Sequence, residues 1–396
     1  MNPWLIVLGL SLGPAVSNGF TRFSYGLILP AMQEDLAWNY TQAGAINTAN
    51  AIGYLIGAIV ALMLTRRLGA RRLFNLGMVL MVIALVGTAL TRDFWLLNAW
   101  RVLAGIGGAP VFIAAGALVS NLFQDSPRHN ALAIALALAG GGGVGMLLSG
   151  IAIPLLLEHW GSAGWPYTWL ALGFASGIAI PISWLAVKAV PQTNPIAANQ
   201  PNGPSLAFSL NGVWPALLAY FLFGVAYIIY LTFLVAWMRN NGADAWMISA
   251  AWALLSLMVI ASPFVWQRLL ARARAGEAMA GASAVTGIAI LMVMVVPGPV
   301  GVMASAALFG SAFFIVPTAA TSLSRKRFAP QHWARAVAWF TVLFALGQTL
   351  GPIAAGAIAD FTGEVGTGLW VAGAVMLAGA IASMLQRAPK TDGEGR

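Results

Sequence analysis

The chain has 396 residues, of which 60% are hydrophobic and 8% charged, and its formal net charge is +9. Soluble domains carry about 25% charged residues, so there is too little charge to coat a water-soluble surface of this size, and the chain reads as a polytopic helical membrane protein. The absence of cysteine excludes disulfides, thiolate metal sites and a cysteine nucleophile, and long unalternated apolar runs exclude a transmembrane β-barrel.

Twelve apolar runs long enough to span a bilayer follow one another, over 4–30, 42–64, 73–90, 95–120, 131–157, 165–187, 212–238, 246–266, 278–296, 300–322, 335–358 and 366–386. Helix breakers separate them: Pro127, the stretch from Pro191 to Pro204, Gly242, Pro297-Gly298-Pro299, Pro330 and Gly363. The first run is too long for a signal-peptide core and lacks a basic leader, so it is expected to be retained as a helix.

Basic residues set the orientation. With the N-terminus in the cytoplasm, sixteen of the twenty fall in inner loops and the tail, and only Arg92 and Arg239 fall outside. That bias predicts cytoplasmic N- and C-termini and an even number of spans. It also accounts for the net charge without a nucleic-acid surface, because the basic residues are dispersed over several inner loops.

The one long polar stretch lies between the sixth and seventh runs. It divides the chain into an N-terminal six-helix bundle over 1–188, a cytoplasmic linker over 189–211, and a C-terminal six-helix bundle with a short tail over 212–396. The halves echo each other at an offset of 205 residues, which sets Arg22 on Tyr227, Tyr25 on Tyr230, Gly105 on Gly310 and Leu29-Pro30-Ala31-Met32 on Leu234-Val235-Ala236-Trp237. One offset serving several helices predicts an internal repeat. Tryptophans such as Trp4, Trp38, Trp95, Trp160, Trp214 and Trp246 mark helix ends as an interfacial belt. The run Gly140-Gly141-Gly142-Gly143 permits close helix approach. No Gly-Lys-Ser/Thr follows it and no strand precedes it, so it is not read as a nucleotide loop.

Two cations remain for the interior. Arg22 lies about 12 Å below the outer end of the first helix and Arg101 about 9 Å below that of the fourth. Asn47 and Asn50 enter the same slab from the second helix. Asn18, Arg22 and Tyr25 are spaced to share a helix face, as are Asn47, Asn50 and Tyr54. None of the eleven acids falls at mid-membrane. Charge at that depth is costly, and a carboxylate or phosphate received by guanidinium would balance it. The binding residues expected from this are Arg22, Tyr25, Asn47, Asn50 and Arg101, with Tyr227, Tyr230 and Gln348 from the second half. In the competing structural reading, Arg22 pairs with Asn47, Asn50 or helix-end carbonyls and only orders the bundle, while Arg101 snorkels or reaches Asp93.

Three motifs carry a resemblance to the major facilitator superfamily: Arg67-Leu68-Gly69-Ala70-Arg71-Arg72 after the second helix, Arg101-Val102-Leu103-Ala104-Gly105 with Gly107, Gly108 and Ala109 in the fourth, and Gly351-Pro352 through Gly356 to Asp360 in the eleventh. The first departs from the superfamily signature, with Arg66 where an acid is usual and Leu62 where a glycine is usual, so a latch made by that acid must be built differently here. Gly19 to Pro30, Asp35-Leu36-Ala37-Trp38 and Gln42 to Asn50 resemble the bacterial YbfB/YjiJ group more specifically.

The resemblance implies an all-α fold of twelve transmembrane helices in two six-helix pseudo-repeat bundles. It also implies a bacterial inner-membrane location, a monomer, and transport by rocking one half against the other around a central cavity. Together with the acid-free interior it points to secondary transport of a small organic anion. The alternative is efflux of drugs or other lipophilic compounds, for which the aromatic residues Trp100, Trp252 and Trp339 speak.

No membrane-centred Asp, Glu or His is available for a proton relay. A proton would therefore travel on the substrate carboxylate, or a counter-anion would be exchanged, or Glu158 or Asp360 would accept protons at the outer surface. No cofactor, metal site or catalytic residue is expected, because an embedded enzyme would need acids, histidines or nucleophiles converging at depth. The partners expected are the substrate and the lipid bilayer.

Overall fold

The computed structural model describes residues 2–191, 210, 212–273, 275–328 and 332–388. Most of the polar connection expected over 189–211 lies outside these residues, as do Arg274, Pro330, Lys390 and Arg396. All twelve apolar runs form helices: α1 Pro3–Asp35, α2 Tyr40–Thr65, α3 Arg67–Ala89, α4 Phe94–Ser120, α5 Arg128–Trp160, α6 Ser162–Ala189, α7 Trp214–Asn240, α8 Ala245–Arg272, α9 Glu277–Val295, α10 Gly298–Arg327, α11 Arg335–Thr362 and α12 Val365–Met384. Their outward faces carry exposed apolar side chains such as Leu62, Trp95, Phe174 and Phe361, as a surface solvated by lipid tails requires.

Short connections make successive helices antiparallel, so like charges collect at one end. One end carries Arg67, Arg71, Arg72, Arg268, Arg325, Lys326 and Arg327. The other carries Glu34, Asp35, Asp93, Asp244 and Asp360. Several of these acids cap helices: Asp93 accepts from the Leu96 N–H at 2.8 Å and Asp244 from that of Met247 at 2.7 Å, where a carboxylate satisfies orphan donors and meets the positive end of the dipole. Asn39 and Gln42 form a capping box at the start of α2. Asp35 pairs with Arg92 at 3.1 Å and accepts from the Trp165 indole at 2.8 Å.

Helices α1, α3, α5 and α10 depart from regular geometry, α5 through a π-helical stretch over Leu136–Gly140. No open loop separates α2 from α3: the helical path turns at Gly69, at the start of α3, whose φ of 74° favours glycine. Helix α10 is interrupted at Phe313 and Phe314, between helical stretches Gly298–Ala312 and Ile315–Arg327. Helix α1 contains a π-helical stretch, Ala15–Phe23, with Arg22 inside it. At its end both the backbone N–H and the hydroxyl of Ser24 reach the Gly19 carbonyl, the latter at 2.7 Å. This wider turn rotates the side chains that follow it relative to those before it.

Small residues bring the helices together. A Cβ on Gly19 would run into the backbone of Gly145 in α5, and one on Gly105 into the backbone of α2. The first six helices meet the last six through the same device. A Cβ on Gly26 of α1 would strike the Leu231 carbonyl of α7, one on Gly44 of α2 the Pro352 carbonyl of α11, and one on Gly150 of α5 the Trp252 side chain of α8.

Candidate functional site

The eight residues expected at the site separate into three groups. The first is centred on Arg22, which is 5% exposed. Its Nη2 donates to the Tyr227 hydroxyl at 2.8 Å and to Gln348 Oε1, and the Tyr227 hydroxyl donates to the same Oε1 at 3.0 Å. The cluster thus joins α1 of the first half to α7 and α11 of the second. Arg22 and Tyr227 are partners at the 205-residue offset. Residues related by a twofold axis lie equally far from it, so two equivalents in contact must sit close to that axis.

All the partners Arg22 has here are neutral. Its guanidinium lies 4.9 Å from the centre of the Tyr54 ring and 5.7 Å from that of Phe23. The Gln348 amide nitrogen is buried and makes no hydrogen bond. Among the described residues every acid lies at a helix end or in a connection, none at this depth. The cluster therefore has a full positive charge and surplus donors but no anion.

Asn47 stands on the acidic side of this cluster and donates to the Thr232 hydroxyl of α7 at 2.5 Å. One residue deeper in α2, Thr48 donates to the Thr349 carbonyl of α11, next to Gln348, at 2.8 Å. At the acidic end the Asp360 carboxylate of α11 accepts from the backbone N–H of Tyr40 at 2.8 Å, that of Thr41 at 2.9 Å and the Thr41 hydroxyl at 2.5 Å. Asn240 of α7 donates to the Tyr40 hydroxyl at 3.0 Å. The links between the halves are thus stacked from mid-depth to the acidic end.

The second group lies inside the first six helices, away from Arg22's partners. Tyr25 donates to the Ala43 carbonyl at 2.6 Å, so it does not share a direction with Arg22 as the regular-helix spacing suggested; the π-helical stretch that ends at Phe23 alters the rotation between them. Arg101 is 0% exposed. It neither snorkels nor reaches Asp93. Its guanidinium lies between the rings of Trp169 and Tyr25, 4.9 and 5.5 Å from their centres, and its three nitrogens make no hydrogen bond. Asn50 donates to the Arg101 backbone carbonyl at 3.2 Å, which ties α2 to α4 and leaves Arg22 unpaired with either asparagine. Since ring faces stand where hydrogen-bond partners would be, we expect Arg101→Met to leave thermal stability unchanged or raised. A fall of more than about 2 kcal/mol on thermal unfolding in detergent would reveal a partner for the charge.

Tyr230 alone makes the third group. It pairs with Ser305 at 2.7 Å, which in turn donates to the Ala289 carbonyl at 2.6 Å, and it stacks on Phe309. It orders the last six helices and does not face Arg22. The aromatic trio read as an interior lining is also dispersed: Trp252 is buried against Gly150, Trp100 packs on Gly87, and Trp339 is 43% exposed. Sequence reasoning did not find Phe344, Thr232 or the partners of Asp360. Phe344 had a signal, since Phe340, Phe344 and Gln348 recur at i, i+4 and i+8 on α11 and share a face.

The family described as "Uncharacterised MFS-type transporter YbfB" matches residues 14–384. An uncharacterized MFS-type transporter of Yersinia pestis is 31% identical over 118 residues, covering 30% of this chain and 31% of that protein. A hexuronate transporter of Bacillus subtilis is 28% identical over 129 residues, 33% of this chain and 30% of that one. A gentisate transporter of Corynebacterium glutamicum is 23% identical over 186 residues, 46% of this chain and 40% of that one. Each of these relatives is thus matched over less than half of its own length. The crystal structure of nucleoside transporter NupG superposes with a TM-score of 0.72 over 97% of this chain and 98% of that one, at 16% identity. These proteins are transporters, not enzymes, and the fold is theirs.

Proposed function

Since the chain belongs to the YbfB-type family of major facilitator transporters, we propose that it moves a small carboxylate-bearing organic anion across the bacterial inner membrane by alternating access. The observation that carries this reading is Arg22: a buried guanidinium close to the axis between the halves, held only by the neutral Tyr227 and Gln348. A carboxylate offers the two acceptors that guanidinium binds best, and the unpaired Gln348 amide nitrogen is a further donor for it. Arg22, Tyr227 and Gln348 are the binding set in this proposal, with Asn47 and Thr232 closing the site toward the acidic end. Tyr25, Asn50, Arg101 and Tyr230 hold the helices that carry it. The hexuronate and gentisate transporters agree with the reading, because the compounds in both names bear a carboxylate.

The basic end is assigned to the cytoplasm, with both termini there, on the weight of its arginines and lysines. The bundles over 1–188 and 212–396 would then rock against each other about the linker over 189–211, the molecule acting as a monomer. The links from Arg22 up to Asp360 close the acidic end in this conformation. Efflux of lipophilic compounds has less to stand on, because Trp100, Trp252 and Trp339 do not converge on the axis.

Reconstitution in liposomes tests the proposal. Labelled monocarboxylates, dicarboxylates, sugar acids and dyes would be offered with and without a pH gradient and with and without trapped anion. Saturable uptake of a carboxylate is expected. Stimulation by the gradient would assign proton coupling, and stimulation by trapped anion would assign exchange. Dye export with no flux of any anion would overturn the proposal.

A further inference from the structure

The side chains around Arg22 narrow the substrate class further, on the premise that Arg22 receives a carboxylate. Tyr220, Phe223 and Tyr227 follow one another along one face of α7, and Phe340, Phe344 and Gln348 along one face of α11. Both rows run from the basic end to the Arg22 cluster. The rings lie nearly parallel: Tyr220 and Phe223 at 3°, Phe223 and Tyr227 at 11°, and Tyr227 and Phe344 at 19°, with centres 4.9 to 5.9 Å apart. Phe313, at the break in α10, continues the set, with its ring 14° from that of Tyr227.

Random packing of aromatic side chains produces many tilted and edge-on pairs, because the ring quadrupole favours T-shaped contacts as well as offset stacks. Here Tyr220, Phe223, Tyr227 and Phe344 present their faces in a common orientation, with Phe340 alone tilted, at 58° to Tyr220, and the set lies beside the mid-depth cation that joins the halves among the described residues. Exposure adds a second observation. Arg22 and Tyr227 are 5% and 3% exposed, whereas Tyr54 and Phe344, which flank them, are only partly buried. A molecule approaching the guanidinium therefore meets aromatic rings before it meets the charge.

We propose that the substrate is a planar aromatic carboxylate, its carboxylate on Arg22 and its ring layered among Tyr54, Phe344 and Tyr227 as one more rung of the stack. The rings already stacked, with centres 4.9 to 5.9 Å apart, leave no gap between them, so a flat ring extends the stack over the partly buried Phe344 and Tyr54. A puckered ring or branched chain of equal charge cannot lie flat on those faces and forfeits the stacking.

Benzoate and cyclohexanecarboxylate separate these terms, since they share a charge and a six-membered ring and differ in planarity. Binding would be read as the ligand-induced rise in the thermal unfolding midpoint of the purified full chain, with glucuronate as a non-aromatic control. Benzoate is expected to bind roughly three- to tenfold more tightly than cyclohexanecarboxylate. Phe344→Leu should bring that ratio close to one, and Arg22→Gln should abolish both. Equal binding of the two acids, or binding of glucuronate without benzoate, would overturn the aromatic assignment and leave the anion site standing. Binding of none of these or any other carboxylate would remove the anion site itself and this inference with it.

Discussion

Arg22→Gln is expected to lower carboxylate uptake at least about 30-fold while the protein still inserts and folds. The magnitude follows from removing one member of a desolvated charge pair, about 2–5 kcal/mol. The retained fold follows from Arg22's present partners. Tyr227 and Gln348 are neutral, so removing the cation strands no buried anion, and glutamine can still bond to either of them. Arg22→Lys should recover only part of the activity, because an ammonium keeps the charge but lacks the planar fork that takes two carboxylate oxygens. The measurement is the initial rate of uptake into proteoliposomes, with insertion checked by gel filtration and thermal unfolding. Transport that survives in Arg22→Gln with unchanged apparent affinity would make Arg22 an ordering residue of the bundle.

Depth was the legible coordinate of this site. The rise per residue fixes how far Arg22, Arg101, Asn47 and Gln348 lie from a helix end, and apolar run length fixes how many helices there are. Direction around the helix was legible only where the helix is regular. Arg22 and Arg101 share a slab, yet one faces α7 and α11 and the other is sealed between Tyr25 and Trp169. The π-helical stretch over Ala15–Phe23 is the reason on the α1 side. It is fixed by tertiary contacts, such as Gly19 against the Gly145 backbone; Pro14 stands at its start, but a proline marks a break without telling how far the following side chains rotate. Symmetry recovered part of what periodicity lost, because the 205-residue offset had already placed Tyr227 opposite Arg22.

The acids show the same limit differently. Asp93 and Asp244 stand where a helix begins, so their capping roles could be read locally. Asp360 stands in the last turn of its own helix, beside the negative end of that dipole, which is a poor place for a carboxylate. Its position makes sense only once α2 of the other half is docked, so that the carboxylate meets a helix N-terminus after all. That partner lies about 320 residues away in the chain and depends on which way the halves are tilted.

Asp360→Asn should therefore loosen the acidic end. The carboxylate accepts two backbone N–H groups and one hydroxyl from Tyr40 and Thr41, and an amide oxygen keeps at most part of this set and none of the charge. Asp360 is exposed, which screens the interaction, and a loss of about 1–1.5 kcal/mol is the appropriate scale. That corresponds to a roughly tenfold larger population open at this end. The chain has no cysteine, so Thr232→Cys gives a single reporter. Thr232 is fully buried between the halves, where it receives the Asn47 hydrogen bond. A membrane-impermeant maleimide should label it about tenfold faster when Asp360→Asn is added, and in intact cells rather than inverted vesicles if the acidic end faces outward. Thr41→Val, which removes one of the three donors, should give a smaller rise. Equal labelling with and without Asp360→Asn would mean that the buried glycine contacts at Gly26 and Gly44 hold this end closed by themselves. Faster labelling only in inverted vesicles would reverse the assigned orientation while leaving the latch in place.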